Sequence, residues 1–439
     1  MRIEWVNHAS FVLHADDFVL WVDPWYEGRV FNQGWGMLIE QDLAPHIFDE
    51  VTHIWFSHEH PDHFFPPNIM RIPEARRAEI TVLFQTTTDR KLVDWCTAKG
   101  FARVIELEDG RWRSDALPKA EVMCHSWGND DSWLALRYDG QLLLNLNDCV
   151  IRDHHELAKI SSLLGGNQLT VLLSQFSYAN WIGNPDEVEL RRKSAAEKVE
   201  RLRRQIEHFQ PQWFIPFASH VWFCHEENHY LNDAVNRVDH VVTTLTNVSD
   251  FEPVVLLPTE SWVIGDAHDS TVAMATYAEA LASVKGRELV TSEVVEREDL
   301  ELAAGEFAVR LKEDNRGLIW GHRALRRAIG PLTFRIWDLD AVLTLDLDTG
   351  ALSDAGDTPA DIELGSDSLA FLLRNRWGGD TLLVNGRFRT TDTGRFPAFE
   401  ELCQVTSANN HGWSYGTMRR QRLRGFIRYV WEKRILRRV

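Results

Sequence analysis

Three histidines and one aspartate stand within six positions in the segment Ser-His-Glu-His-Pro-Asp-His at residues 57–63. The segment directly follows Val51–Phe56, a mostly apolar run that predicts a buried strand. The polar side chains should therefore lie on a loop that a rigid sheet edge holds in place. Crowding basic nitrogens gains little unless a metal binds them, and imidazole together with carboxylate suits zinc or iron. The predicted ligands, dense enough in sequence for two ions, are His58, His60, Asp62 and His63.

The overall composition is that of a large globular chain. Its 439 residues are 44% hydrophobic and 26% charged, which is sufficient for two or three cores of ordinary size. The formal net charge of -18 argues against general binding of nucleic acid. The apolar runs are shorter than the roughly 18 residues that a membrane span requires. Met1 leads directly into strand-like sequence, so we expect neither a membrane span nor a secretory signal.

The cysteines are scattered, and no Cys-x-x-Cys pair occurs among Cys96, Cys124, Cys149, Cys224 and Cys403. An odd and dispersed set predicts reduced thiols in a cytoplasmic protein. The same pattern argues against a zinc ribbon and against an iron–sulfur cluster with the common cysteine spacings.

Residues 1–270 alternate strand-like and helical segments and therefore predict an α/β domain. Apolar residues at helical spacing over Glu189–Phe209 predict an amphipathic helix, and Asp139-Gly140 predicts a hairpin turn. The other predicted strands of this domain are Met1–Asn7, Ser10–His14, Phe18–Val22, Ile80–Phe84, Ala120–Cys124, Trp133–Tyr138, Leu142–Leu146, Leu169–Leu173 and Trp213–Phe217.

A smaller α+β domain is predicted over residues 275–400. Residues 270–325 are rich in Ala, Glu and Leu and predict helices, whereas Phe334–Asp346 largely alternates and predicts one strand before a turn. Ser366–Arg376 predicts a further helix. Residues 401–439 form a C-terminal tail whose last 21 residues hold nine Lys or Arg and one Glu. This tail predicts either a solvated helix or a basic surface for an anionic carrier or nucleotide.

The His-x-His-x-Asp-His pattern resembles the signature of the metallo-β-lactamase superfamily. The resemblance implies an αββα sandwich for residues 1–270 and implies three further roles. An aspartate after an early strand supports the metal loop, and Asp23 in Val-Asp-Pro-Trp matches it. A carboxylate after a later strand bridges the two metals, and Asp148 matches it, with catalytic roles for Asp62 and Asp148. A histidine after the last core strand completes the ligands, with His220 first and His225 as runner-up.

The middle metal ligand departs from the pattern of the hydrolases in that superfamily. Those enzymes place a histidine just before the strand that precedes the bridging aspartate, but residues 128–132 read Gly-Asn-Asp-Asp-Ser. Either His125 reaches back, or Asp130 or Asp131 supplies a carboxylate, and we favour the carboxylate. Replacing imidazole by carboxylate makes the site more anionic and favours iron over zinc. The chemistry then moves from activation of water towards activation of dioxygen.

A closer resemblance covers roughly residues 1–265. Four segments, in matching order, are similar to the metallo-β-lactamase-type domain of CMP-N-acetylneuraminate hydroxylases. That family also carries a Rieske module with Cys and His ligands, and this sequence contains no such motif, so hydroxylation of a sugar nucleotide by that electron route is not expected. The matching segments are Val6-Asn-His-Ala-Ser10, Asp23-Pro-Trp25, Phe31-Asn-Gln-Gly-Trp35 and Trp213-Phe-Ile-Pro-Phe-Ala218.

Two further families with this fold use a non-haem di-iron site. One β-hydroxylates a carrier-tethered amino acid in chloramphenicol assembly, and the other hydroxylates a diterpenoid CoA thioester in platensimycin and platencin assembly. This chain resembles the second family in length and in lacking a fused redox domain. The resemblance implies two iron ions, dioxygen as co-substrate, an external reductase or ferredoxin, and a bulky apolar acyl thioester of CoA or a carrier. The alternative is a dinuclear zinc hydrolase of a phosphodiester, lactone or thioester.

Three further expectations concern the surroundings of the site. Residues 325–400 resemble a sterol-carrier-type domain, which implies binding of lipids or acyl-CoA, and the alternative is a packing or homodimerisation domain. His8, after the first strand, is expected to support the metal loop rather than to bind metal. The candidate substrate contacts are Tyr178, Asn180, Trp181 and His225.

Overall fold

The structure is a computed structural model that describes residues 1–128, 131–247, 249–317 and 321–423. Two compact units make up the chain. The first unit comprises Met1–Ala179, Val188–Cys224 and Leu231–Glu288, and the second comprises Asn180–Glu187, His225–Tyr230 and Leu289–Val439. The first unit therefore extends past the boundary predicted near residue 270. Two short segments from within its sequence range belong to the second unit.

Ten strands of the first unit follow the apolar runs that predicted them. The strands are β1 Arg2–Asn7, β2 Ser10–His14, β3 Val19–Val22, β4 Trp35–Met37, β5 His53–Trp55, β6 Thr81–Gln85, β7 Arg103–Leu107, β8 Glu121–Trp127, β9 Asp131–Tyr138, β10 Gln141–Asn145, β11 Val171–Gln175, β12 Trp213–Phe217, β13 Val221–Phe223, β14 Glu252–Pro253 and β15 Ser261–Val263. Of these strands, β4, β7, β13, β14 and β15 were not predicted. The helices are α1 His46–Glu50, α2 Pro66–Ile69, α3 Glu74–Arg77, α4 Lys91–Ala98, α5 His154–Leu164, α6 Val188–Phe209, α7 Val238–Thr246 and α8 Thr271–Ser283, with 3₁₀ turns at His229–Ala234 and Val284–Gly286.

Two sheets form the centre of this unit. One has the order β15-β1-β2-β3-β5-β6-β7, the other has the order β14-β12-β11-β10-β9-β8, and β4 pairs separately with β13. Side chains alternate along each strand, so that Phe11 and Leu13 enter a core shared with Leu143 and Leu173 of the other sheet. Val12 enters a second core with residues of α1 and α4 on the opposite face. Helix α6 covers the second sheet. The predicted αββα sandwich is therefore confirmed.

The parallel strand pairs bring polar residues to one edge of this sandwich. β3 pairs in parallel with β5, and β10 pairs in parallel with β11, which pairs in parallel with β12. Residues that follow the carboxyl ends of these strands therefore meet where the strands stop. The antiparallel turn between β9 and β10 is the predicted Asp139-Gly140 hairpin, with φ values of +48° and +74°.

Two further features of the chain concern its cysteines and the length of its helices. All five cysteines are buried and free of disulfide bonds. Over the described ranges, no helix combines the length and the apolar character that crossing a bilayer requires.

The second unit is an α+β structure. Its helices and strands are α9 Arg297–Asp314, α10 His322–Ile329, β16 Leu332–Ile336, β17 Ala341–Leu345, β18 Leu352–Asp354, β19 Ile362–Leu364, α11 Ser366–Arg374, α12 Gly378–Asn385, β20 Arg389–Thr390 and α13 Phe396–Asn410. The sheet order is β18-β17-β16-β19-β20. A sterol-carrier function for this unit stays a prediction. In the basic tail, residues 415–423 are helical, and residues 424–439 lie outside the described part of the chain.

One strand prediction in this unit is wrong. The run Phe334–Asp346 forms an antiparallel hairpin of two strands, β16 and β17, rather than one strand. Asp338 lies in the turn, and its carboxylate accepts hydrogen bonds from the backbone N–H (2.8 Å) and the hydroxyl (2.6 Å) of Ser366. Asp340 has φ of +48°, which a continuous strand does not allow. The alternating pattern continued through the turn, because both strands share the same period.

A buried ion network ties the segment His225–Tyr230 to the rest of the second unit. Arg387 is fully buried and donates from Nε to Glu227 (2.6 Å) and from Nη2 to the Ser292 hydroxyl (2.8 Å). Its Nη1 lies 3.1 Å from Asp367. Removing one member of such a network leaves an opposite charge buried without compensation, which costs far more than losing a surface pair.

We expect Arg387→Met to destabilise the second unit by about 3 to 5 kcal/mol, because Glu227 would keep its burial and lose its cation. Urea denaturation followed by circular dichroism measures the change. Arg316→Met is the matched control, since Arg316 pairs with Glu313 on the surface with 77% of its side chain exposed, and its effect should stay below about 0.5 kcal/mol. Equal effects of the two substitutions would show that the network does not stabilise the unit.

Candidate metal centre

The carboxyl group of Asp23 holds the metal loop, residues 57–63, in place. It follows β3, is fully buried, and has φ of +43°. Its carboxyl group accepts hydrogen bonds from the backbone N–H and the hydroxyl of Ser57, both at 2.7 Å, and from Nδ2 of Asn147 at 3.1 Å. Nδ1 of His63 lies 2.9 Å from the same carboxyl group. Burial raises the pKa of Asp23, and the His63 charge and the Ser57 donors oppose that shift.

A first group of possible metal ligands consists of His58, His60 and Asp131, whose ligand atoms all lie within 4.8 Å of one another. Nε2 of His58 is 2.9 Å from Nδ1 of His60 and 3.7 Å from Oδ1 of Asp131. Nδ1 of His58 is 2.9 Å from the Ser57 hydroxyl, which orients the ring. Burial and the neighbouring imidazoles hold the pKa of His58 well below its usual value. The ring is therefore neutral, which is the form that binds a metal.

Three carboxylates surround the ring of His63. Its Nε2 is 3.2 Å from Oδ2 of Asp62 and 3.2 Å from Oδ2 of Asp148, while Nδ1 points to Asp23. Burial alone would lower the pKa of His63, but the three carboxylates outweigh burial and raise it well above its usual value. Such an arrangement requires positive charge next to Nε2, which either a proton or a metal ion supplies.

Two further observations show that these side chains fit a metal centre. Donor atoms that share one ion at about 2.1 Å lie about 3.0 to 3.4 Å apart, and the contacts of His63 with Asp62 and Asp148 are 3.2 Å. Oδ1 of Asp62 is buried and has no hydrogen-bond partner among the described residues. A buried carboxylate oxygen without a donor is costly unless a cation binds it. Asp148 also forms a group with His58 and His63, so it stands between the two sets.

His8 holds Asp62 in place. Its Nε2 is 3.2 Å from Oδ2 of Asp62, and both side chains are buried. The backbone of His8 has φ of +36°, and its N–H donates to Oδ1 of Asn7 at 2.9 Å. Nδ1 of His8 has no partner within the described ranges, whereas a metal-bound histidine usually donates from its second nitrogen. The ligand atoms of His8, Asp62 and His63 also lie within 4.8 Å of one another, so this group could itself hold a metal ion, and the supporting role of His8 stays a prediction.

The structure does not bring His220 to these groups. Its ring lies 4.3 Å from the ring of Tyr277, and its Nε2 is 3.2 Å from the carbonyl oxygen of Pro216 in the preceding strand β12. Burial lowers the pKa of His220 to about 3. The prediction of His220 as the last metal ligand therefore lacks a geometric basis here, because the chain after β12 turns the ring towards α8.

Among the candidates for the middle ligand, Asp131 is the one that the structure groups with His58 and His60. Asp130 lies outside the described residues. His125 joins no ligand group among the described residues, since it pairs with Trp133, one position further along the same face than the Trp127–Asp131 pair. Its Nδ1 contacts Asp109, and its ring packs 5.3 Å from Trp133.

The four candidate substrate residues occupy other places. Tyr178 is buried and donates its hydroxyl to the carbonyl of Leu231. Asn180, exposed, and Trp181 belong to the second unit, where Trp181 packs 4.8 Å from Phe388. His225 is buried in the same unit, and its Nε2 is 3.1 Å from the Ser292 hydroxyl. None of these four side chains joins a ligand group among the described residues, and their contact with substrate stays a prediction.

Sequence reasoning missed two residues that reach the metal loop indirectly. Gln175 ends β11, and its Nε2 donates to Oδ1 of Asp148 at 3.1 Å. Lys198 of α6 donates from Nζ to Oε1 of Gln175. One signal was present in the sequence, since Lys198 falls at helical spacing between Ala195 and Leu202, both buried on the inner face of α6.

Aromatic side chains surround the ligands. Phe31 has its ring 5.8 Å from that of His60, and Trp25 and Trp35 lie 5.5 Å and 6.5 Å from His8. All three are buried and limit access of water to the ligands. A cavity of about 680 Å³ in the first unit has no predicted metal ligand among the described residues of its lining, which include Tyr26, Glu27, Arg29, Met37, Glu40 and Asp42.

Comparison with known proteins agrees with this architecture. Residues 2–131 match the family described as "Beta-lactamase superfamily domain". The first unit thus has the metallo-β-lactamase fold. Cytidine monophosphate-N-acetylneuraminic acid hydroxylase of Danio rerio is 24% identical over 251 residues, which are 53% of this chain and 40% of that protein. The Mus musculus protein of the same name is 23% identical over 254 residues, which are 54% of this chain and 42% of that protein.

The chain thus spans about two fifths of the length of these relatives, and the resemblance expected from four sequence segments is confirmed over that part. Among solved structures, a variant of the CmlA β-hydroxylase is 16% identical with a TM-score of 0.41, covering 60% of this chain and 53% of that one. A possible metal-dependent hydrolase from Veillonella parvula is 15% identical with a TM-score of 0.45, covering 60% and 98%. The family match and the grouped ligands together support a metal-dependent enzyme, either an oxygenase or a hydrolase.

We expect His60→Ala to remove bound metal and leave the fold largely intact, because it deletes one of three donors on a surface-accessible loop. Elemental analysis by mass spectrometry and far-ultraviolet circular dichroism measure the two outcomes. His220→Gln is the control, and it should keep the metal content of the unsubstituted protein. A loss of metal in His220→Gln as large as that in His60→Ala would contradict the ligand set described above.

Proposed function

We propose that this chain is a non-haem di-iron monooxygenase. One atom of dioxygen enters an unactivated C–H bond of the substrate, and two external electrons with two protons convert the other atom to water. The observation that carries this proposal is the group formed by His58, His60 and Asp131. Two imidazoles and one carboxylate with open positions are typical of non-haem iron sites that use dioxygen.

Each proposed ligand has its own role in this centre. His58, His60 and Asp131 would hold one iron, and Asp62 and His63 would hold the other. Asp148 would contact both, since its ligand atom groups with those of His58 and His63. Iron bound there supplies the reduction and activation of dioxygen.

The surrounding residues orient the ligands and exclude water. The Ser57 hydroxyl fixes the ring of His58, and Asp23 fixes the ring of His63 through Nδ1. Asp62 and Asp148 are the proposed catalytic carboxylates, and His8 holds the first of them by its Oδ2 atom. The buried rings of Phe31, Trp25 and Trp35 keep the site dry, which protects a reactive oxidant from side reactions.

The proposed substrate is a bulky apolar acyl group, such as a diterpenoid, held as a thioester of CoA or of a carrier. This class rests on the sequence resemblance. The cavity of about 680 Å³ has the volume of a small-molecule site. Glu27, Glu40 and Asp42 outnumber Arg29 in its lining, so its charge disfavours phosphate groups. Electrons would come from an external reductase or ferredoxin.

A dinuclear zinc hydrolase is the second candidate. The observation that favours it is the buried Oδ1 atom of Asp62, which lacks a donor among the described residues. That oxygen is placed to accept a proton from a nucleophilic water whose pKa two zinc ions lower. Its substrate would be a phosphodiester, a lactone or a thioester.

Metal content separates the two candidates. We expect protein produced without added zinc to contain about two irons per chain and, after chemical reduction, to consume dioxygen. Elemental analysis, absorption in the near ultraviolet and an oxygen electrode measure these properties. Two zinc ions per chain with hydrolytic turnover and no dioxygen uptake would favour the hydrolase and refute the monooxygenase.

The carboxylate of Asp131 should set the choice of metal. We expect Asp131→His to raise the ratio of zinc to iron bound and to reduce dioxygen uptake at least tenfold, because imidazole replaces a hard oxygen donor. Asp131→Glu keeps a carboxylate and should retain iron. An unchanged zinc-to-iron ratio in Asp131→His under competition would show that Asp131 is not a ligand.

A further inference from the structure

We propose that Gln175 and Lys198 are positioning residues of the metal centre, which hold Asp148 so that Oδ2 alone faces His63. The inference rests on the proposed metal centre and adds two residues that lie behind its ligands. Oδ2 of Asp148 is 3.2 Å from Nε2 of His63, whereas Oδ1 accepts a hydrogen bond of 3.1 Å from Nε2 of Gln175. The two carboxylate oxygens therefore have different partners on opposite sides.

The two neighbours of the Gln175 amide decide its orientation, that is, which of them its oxygen faces and which its nitrogen faces. The ammonium group of Lys198 can only donate hydrogen bonds, and the carboxylate of Asp148 can only accept them. Lys198 therefore requires Oε1 of Gln175, and this leaves the Nε2 donor for Asp148. A primary amide is the side chain that satisfies both neighbours at once. A carboxylate at position 175 would repel Asp148, and an apolar side chain would contact neither group.

The positions of Gln175 and Lys198 are fixed by the elements that carry them. β10 and β11 are parallel neighbours, and the N–H of Gln175 donates to the carbonyl of Asn147 at 3.3 Å, directly before Asp148. Lys198 lies on the inner face of α6, where Gln205 of the same face accepts a hydrogen bond of 2.8 Å from the Ser174 hydroxyl. Helix α6 therefore docks on the end of β11 through two consecutive residues, Ser174 and Gln175.

Lys198 is half-buried on the inner face of α6. Within the described ranges, no carboxylate forms an ion pair with Lys198, so its charge has no direct counter-ion there. Burial lowers the pKa of Lys198 to about 8, and the charges of Asp148 and Asp131 oppose that shift. The cation thus contributes at short range to the field of two proposed ligands, and Gln175 transmits its effect to Asp148 by hydrogen bonding. Donors of this kind typically change metal affinity 10- to 100-fold.

Cobalt(II) alone is the probe, added to the full-length apoprotein in competition with a chromophoric chelator, with the d–d absorption bands as a second readout. We expect Gln175→Met to weaken cobalt binding about 10- to 100-fold and to change the d–d spectrum, because Asp148 is released. Lys198→Met should weaken binding less, and Lys198→Arg should restore it. Lys198→Met should add nothing to the effect of Gln175→Met, since Lys198 acts through Gln175.

Gln205→Met is the matched control, because it removes a buried glutamine contact of α6 with β11 and leaves Asp148 untouched. Its cobalt affinity and spectrum should equal those of the unsubstituted protein. The inference is refuted if Gln175→Met leaves both properties unchanged, if Gln205→Met alters them as strongly, or if the effects of the two single substitutions add fully. Failure of the unsubstituted protein to bind cobalt at all would instead refute the metal centre itself.

Discussion

The buried carboxyl group of Asp23 is the interaction on which the site depends. It joins the end of β3 to Ser57 after β5 and to Asn147 after β10, so it links both sheets at the edge where the ligands gather. The same group fixes the tautomer of His63. A charged or polar group without water is costly unless several donors reach it, and here four contacts provide that compensation. These contacts of Asp23 hold the metal loop in position without the help of a bound ion.

Asp62 and Asp148 share one feature, namely that one oxygen of each carboxylate contacts a neighbouring nitrogen. Oδ2 of Asp62 lies 3.2 Å from Nε2 of His8, and Oδ1 of Asp148 accepts a hydrogen bond of 3.1 Å from Nε2 of Gln175. Asp62 keeps a second buried oxygen without a donor among the described residues. Excess negative charge therefore collects around His63, and the pKa of that ring is raised accordingly. This electrostatic field selects for cations and is a property of the whole cluster rather than of any one ligand.

Local patterns predicted most of the sandwich and the metal loop, because period-two alternation and closely spaced histidines are readable within a few residues. Asp131 was a candidate for a different reason, because the superfamily resemblance implies a metal ligand just before the strand that precedes Asp148. His220 shows the limit, since the direction of a side chain after β12 depends on packing against Tyr277, which is distant in sequence. His125 shows another limit, because its Nδ1 contacts Asp109, and that contact depends on how the loop before β8 folds. Gln175 and Lys198 meet only when α6 docks on β11, and no local pattern encodes that contact.

The discontinuous second unit has a consequence for how such a protein evolves. Its segments Asn180–Glu187 and His225–Tyr230 are inserted between elements of the first unit, and the second of them carries the buried partner of Arg387. A recombination event near the end of the sandwich would transfer the core strands and leave a buried carboxylate without its cation. A transfer that keeps this ion pair would have to carry the short segment His225–Tyr230 together with the chain after residue 288.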